Sequence, residues 1–131
     1  SIGASLFALE QTFAYIAERK AFGKSIDQFQ GLQFRLADME IALQSARTFL
    51  WQAAWKLDTG APDATKFCAM AKKLCTETGS DVADQCLQLH GGYGYLADYG
   101  IEKIVRDLRG HQILEVTNEI MRLITARHMI Q

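Results

Sequence analysis

The chain has 131 residues, 49% of them hydrophobic and 22% charged, the composition of one folded globular domain rather than a disordered segment. Fourteen basic against fifteen acidic residues leave a net charge of −1, which argues against a nucleic-acid binder that works by neutralising phosphates. No apolar run reaches the roughly 18–20 residues needed to span a bilayer, no secretory segment is visible, and three cysteines are too few for a disulfide scaffold, so a reducing compartment is expected.

Residue 1 is Ser, and Ile2-Gly3-Ala4 already reads as helix, so a piece of a longer polypeptide is expected. Ile2, Leu6, Leu9, Phe13 and Ile16 recur at helical spacing and predict a first helix. Gly23-Lys24-Ser25 separates it from a second stripe, Phe29, Leu32, Leu36, Met39, Leu43, Ala46 and Leu50. Asp58-Thr59-Gly60-Ala61-Pro62-Asp63 is a stop, turn and restart. Cys68, Ala71, Cys75, Val82, Cys86 and Leu89 mark a third helix, broken by Gly91-Gly92-Tyr93-Gly94. A shorter helical piece covers Ile101 to Leu108, and Thr117 caps a last helix whose stripe begins at Val116, Ile120 and Leu123. No stretch alternates long enough to make a strand. The fold predicted is all-α, an antiparallel up-and-down four-helix bundle with a short extra helix before the last one.

Most of the tempting motifs have a plainer reading. Gly92-Tyr93-Gly94 begins like a dinucleotide fingerprint, but Ala97 stands where its last glycine belongs and a helix, not a strand, precedes it. Cys68 and Cys75 are two helical turns apart, about 10 Å, too far for a disulfide, and all three cysteines fall on the stripe expected to face the core. His90, His111 and His128 lack ligand spacing, so no metal site is expected. Lys72-Lys73 reads as a solvated face.

Polar residues crowd the helix ends. Arg19, Phe22 and Gly23 close the first helix and Gln30 opens the second. Gln88, Leu89, His90, Gly91 and Gly92 end the third, and Glu115, Thr117, Asn118 and Glu119 open the last. In an up-and-down bundle these four groups converge on one rim. Glycines, an arginine and free helix N–H groups together suit a nucleotide-cofactor edge; ordinary caps and turns account for the same residues equally well.

These residues also carry a family resemblance. Arg19-Lys20-Ala21-Phe22-Gly23-Lys24, Gln30 to Met39, Gln88-Leu89-His90-Gly91-Gly92-Tyr93-Gly94-Tyr95, Arg106-Asp107 and Ile113-Leu114-Glu115-Val116-Thr117-Asn118-Glu119-Ile120-Met121-Arg122 resemble, in order, the C-terminal domain of an acyl-CoA dehydrogenase, nearest in motif to isobutyryl-CoA dehydrogenase-like members. The resemblance implies that residues 1–131 are the helical-bundle domain of a protein whose N-terminal helical and middle β domains are absent here. It implies FAD at a subunit interface, an acyl-CoA substrate, an electron-transfer flavoprotein-type acceptor and a homodimer or homotetramer, in a bacterial cytoplasm or a mitochondrial matrix. Neither nucleic acid nor membrane is implied as a partner.

By motif position, Arg19, Phe22 and Gln30 approach the FAD diphosphate and adenosine side of the partner subunit, Gln88, Leu89, His90, Gly91 and Gly92 line the cofactor, and Thr117, Asn118 and Glu119 touch the chain's own FAD. Glu115 matches the catalytic base and Arg127 a position near the CoA portion. Without the resemblance, Glu115 is adequately read as a residue complementing a helix dipole. Val116 departs from the family, where Gly usually follows the base. Its β-branched bulk either tunes acyl-chain choice or marks altered activity. The expected reaction is dehydrogenation of a short or branched acyl-CoA, with the isolated piece inactive. The alternatives are a non-catalytic helical oligomerisation module or a related flavin oxidase on the same scaffold.

Overall fold

The computed structural model describes residues 1–130 and is all-α, as the spacing predicts. Its helices are α1 (Ile2–Glu18), α2 (Gln30–Asp58), α3 (Ala64–His90), α4 (Ile101–His111) and α5 (Asn118–Met129). Among the described residues no helix is long and apolar enough to cross a membrane.

α3 is the centre of the molecule: α1, α2, α4 and α5 all pack on it. α1 runs parallel to it, with Ser5 Oγ donating to Gly79 O at 3.1 Å near one end and Tyr15 OH donating to His90 O at 3.2 Å near the other. The close approach depends on Gly79, where a Cβ would stand 2.9 Å from Ser5 Oγ and 3.0 Å from Ser1 Cβ. α2 runs antiparallel to α3, and its far end is tied by the Lys56–Asp63 ion pair at 2.8 Å. Leu9, Ile16, Met39, Leu43, Val82 and Ile101 are fully or almost fully buried between these helices, each contributing about 1.5–3 kcal/mol of hydrophobic stabilisation.

The fourth column is split, which the sequence reading did not anticipate. α4 lies along the C-terminal half of α3 and α5, only 12 residues long, along the N-terminal half. The stripe expected for the last helix is turned outward: Val116 precedes α5, and Ile120 and Leu123 are both exposed. Asn118 plugs into α3 and sets the rotation of α5, so Met121 and Thr125, three and seven positions on, face inward instead. Phe13 and Leu50, assigned to earlier stripes, are also exposed.

A two-residue antiparallel strand pair, Lys20–Ala21 with Lys24–Ser25, was missed as well. Its turn residues Phe22 and Gly23 both have positive φ (51° and 82°), as a two-residue hairpin turn requires.

Cys75 and Cys86 are buried as expected, but Cys68 is only half-buried. Burial pushes the Cys75 and Cys86 thiols above the usual range, further from the reactive thiolate. A soluble alkylating reagent near neutral pH is therefore expected to modify Cys68 before either of the others, as peptide mass spectrometry would read directly. Labelling of Cys86 at the rate of Cys68 would contradict the packing of α1 against α3.

Candidate functional site

The predicted convergence on one rim is not what the structure builds. Arg19, Phe22, Gln30 and the Gln88–Gly92 segment do meet at one end of the bundle. Glu115 and Thr117–Glu119 lie elsewhere, where α5 begins beside Thr76 and Glu77. The 14 helical steps of α3 from Thr76 to His90 span about 21 Å. The reason is α4. It occupies the part of the fourth column next to the glycine turn, so the last helix starts halfway down.

At the rim, α3 ends on Gly91 and a 3-10 turn covers Gly91–Tyr95. A hollow of about 550 Å³ is lined by Phe22 of the hairpin, by Phe29, Gly31, Leu32 and Arg35 at the start of α2, and by Gln88 of α3. Phe22 is 96% exposed at the hairpin tip, edge-on to Phe29. A neighbouring hollow of about 310 Å³ is lined by Tyr15, Glu18, Arg19, Tyr93 and Tyr99. The Arg19 guanidinium stands 5.3 Å from the Tyr93 ring centroid and, among the described residues, forms no ion pair. Burial raises the Tyr15 phenol above its ordinary range, with Arg19 opposing.

Not every predicted rim residue presents its side chain. His90 is buried, its Nδ1 at 2.8 Å from Cys86 O and its ring stacked on Tyr15 at 4.4 Å. Leu89 is also buried. What the turn offers outward is Gln88 with Gly91 and Gly92, where a Cβ would meet nothing within 4 Å. A free guanidinium beside open backbone is a donor set that fits a diphosphate.

The second region is the loop between α4 and α5. Glu115 is not in the helix but two residues before its N-cap, Thr117, whose hydroxyl makes no capping bond. Ile113, Leu114, Glu115 and Val116 are all exposed. Glu115 and Val116 both have positive φ, 55° and 81°. Two successive non-glycine residues in this region carry about 1–3 kcal/mol of strain each, the β-branched Val116 the more.

Asn118 is buried, its Nδ2 donating to Thr76 Oγ1 at 2.9 Å and to Glu77 Oε1 at 3.3 Å. That amide is structural, contrary to the expectation that it faces a cofactor. Glu119, exposed, has its carboxyl held below the usual range chiefly by a backbone N–H at the helix start, with Arg122 beside it. Arg127 is exposed in the last turn of α5, about 14 Å along the helix from Asn118.

Sequence reasoning missed two contributors. Tyr15, Tyr93 and Tyr99 form one aromatic cluster, hinted at by the tyrosines around the glycine turn. Lys72, read as solvated, instead reaches the loop: its Nζ donates to Val116 O and Asn118 Oδ1, each at 2.8 Å, and to Gln112 O at 3.4 Å. Lys73 pairs with Glu77. Among the described residues no cluster of three His, Cys, Asp or Glu could hold a metal ion.

Residues 1–130 match the family model for the acyl-CoA dehydrogenase C-terminal domain. The chain belongs to the acyl-CoA dehydrogenase family. It is 42% identical to the mitochondrial isobutyryl-CoA dehydrogenase of Bos taurus over 131 residues, all of this chain and 32% of that protein. The crystal structure of an acyl-CoA dehydrogenase from Geobacillus kaustophilus superposes with a TM-score of 0.94 at 36% identity, covering 99% of this chain and 34% of that one. An FAD complex of PigA superposes with a TM-score of 0.91 at 33% identity, covering 98% of this chain and 33% of that one. The chain thus spans about a third of the length of the curated relatives it matches.

Proposed function

We propose that this chain is the helical domain of an FAD-dependent dehydrogenase that converts a short or branched acyl-CoA to its 2-enoyl-CoA, with Glu115 as the base. The observation that carries the reading is the strained, outward-turned Glu115–Val116 pair on an otherwise well-bonded loop. Strain of this kind persists where a side chain must be presented in one direction.

A thioester α-proton is weakly acidic, so a carboxylate must be placed within hydrogen-bond reach of it. Glu115 takes that proton from the α-carbon, and an acyl chain seated over it keeps water from competing for the carboxylate. Bound FAD would supply the acceptor for the β-hydrogen and its electron pair, and Arg19, Gln30, Gln88 and the Gly91–Gly92 backbone are the groups that would hold its diphosphate side. Val116 stands next to the base, and its bulk favours short or branched chains. Arg127 is the cation assigned to the CoA portion.

The separation of the two regions supports a shared cofactor site. Arg19, Gln30, Gln88 and the Gly91–Gly92 backbone suit the diphosphate and adenosine of one flavin. Glu115, Thr117 and Glu119, about 21 Å away along α3, belong beside another. A second copy of the chain supplies each flavin with the missing half. Phe34, Ile41, Trp51 and Trp55 are exposed along one side of α2, an apolar face suited to a homodimer or homotetramer. The same face favours the second reading, a non-catalytic assembly module. An electron-transfer flavoprotein-type partner is the proposed acceptor.

The test is anaerobic addition of isobutyryl-CoA to the full-length protein. Bleaching of the oxidised-flavin absorbance is expected for the dehydrogenase. A protein that assembles but carries no flavin would establish the module instead.

A further inference from the structure

The Glu115–Val116 pair needs something to hold it, and α3 supplies one side chain that reaches the backbone on both sides of the base. Lys72 Nζ donates to the carbonyl of Gln112, where the loop begins, to the carbonyl of Val116, the residue with φ 81°, and to the side chain of Asn118, where α5 begins. An ammonium has three donors, and this one uses all three. Among the described residues Lys72 forms no ion pair, so its charge is directed at neutral acceptors of the loop.

α5 has anchors on α3 besides its bond from Lys72. Asn118 is held by Thr76 and Glu77, and Arg122 bonds to Glu77 at 2.8 Å. The loop's remaining backbone bonds are local ones from Ile113 and Leu114 to Gly110 O and from Asn118 to Gln112 O. None of these grips residue 115 or 116.

We propose that Lys72 is a positioning residue for the reaction: by holding the Val116 carbonyl it fixes the left-handed pair that turns the Glu115 carboxylate outward toward substrate. This rests on Glu115 being the base. A displacement of about 1 Å in a reacting group is enough to lower a rate on the order of a hundredfold. Where the family usually has Gly after the base, left-handed φ is unstrained and less holding is needed; Val116 makes the clamp necessary.

The experiment uses the full-length holoenzyme as wild type, Lys72→Met, Val116→Gly and the double variant, with isobutyryl-CoA as substrate. Two quantities are read: the flavin-reduction rate at saturating substrate, and amide hydrogen exchange by mass spectrometry. Lys72→Met is expected to slow reduction on the order of 10- to 100-fold at unchanged FAD content. Exchange is expected to quicken at the bonded loop amides of Ile113, Leu114 and Asn118 and stay unchanged over 121–129. The double variant is expected to recover most of the rate relative to Val116→Gly alone, a coupling that general destabilisation would not produce.

Unchanged loop exchange, or a rate loss as large in the Val116→Gly background as in wild type, overturns the proposal. If Lys72→Met does not fold, Lys72→Arg takes its place. Its planar fork cannot meet the same three acceptors, so a smaller loss with the same rescue is expected, and a full wild-type rate overturns the proposal. Reduction that survives Glu115→Gln removes the base assignment instead; faster loop exchange in Lys72→Met then still establishes the clamp, and unchanged exchange rejects it.

Discussion

Full-length protein carrying Glu115→Gln is expected to bind FAD normally and to be reduced by isobutyryl-CoA about a thousandfold more slowly than wild type. The substitution keeps the size and exposure of the side chain and removes only its ability to take a proton. General-base catalysis contributes about 10²- to 10⁴-fold, and about a thousandfold is the middle of that range. Fold and cofactor retention should be unaffected, because Glu115 is exposed. Stopped-flow absorbance under anaerobic conditions gives the rate, and the protein-bound flavin spectrum gives the occupancy. Glu119, two residues on, is the natural control: it is exposed in the first turn of α5 and paired with Arg122, so Glu119→Gln should lower reduction far less. A Glu115→Gln variant reduced at the wild-type rate would remove the proposed mechanism, whatever its acyl-chain preference.

The second large effect is structural. Gly94→Ala places a Cβ 2.6 Å from Leu87 O and 2.7 Å from His90 Cβ. Both neighbours belong to the last turn of α3 and neither is a mobile side-chain end, so the 3-10 turn itself must shift. Overpacking of this kind costs about 1–3 kcal/mol, and the shift carries Tyr93 away from Tyr15, Tyr99 and the Arg19 guanidinium. A lower thermal midpoint together with weaker FAD retention is the expected result. Gly92→Ala separates the two consequences, since no atom lies within 4 Å of its added methyl. Its stability should stay within about 0.5 kcal/mol of wild type, while FAD retention falls if Gly92 faces the cofactor as proposed. Equal midpoints for both variants would mean that the turn has room which the observed contacts deny it.

The register of the core was legible because burial follows helical period. Leu9, Met39, Leu43, Val82 and Cys86 are where their stripes place them, all buried. Legibility failed wherever one contact outweighed period. Asn118 is polar and was read as a ligand contact, yet its hydrogen bonds to α3 fix the rotation of α5 and turn Ile120 and Leu123 outward. His90, in the middle of the glycine motif, stacks on Tyr15 instead of facing out. Lys72 looked like any lysine of a solvated pair because its acceptors, Gln112 O and Val116 O, lie 40 and 44 positions away, and no local pattern encodes a carbonyl that far off.

By itself the sequence determined that the chain is helical, where its helices break and which chemical groups crowd those breaks, since these follow from periodicity, glycine and proline placement and side-chain type. Only the tertiary structure decided that those groups form two regions rather than one rim. How far down α3 the last helix begins depends on α4 packing first against the turn end, and that is a matter of which surfaces fit in space. The left-handed backbone at Glu115 and Val116, and the lysine that holds it, were likewise settled by long-range contacts whose energy outweighs what those residues prefer locally.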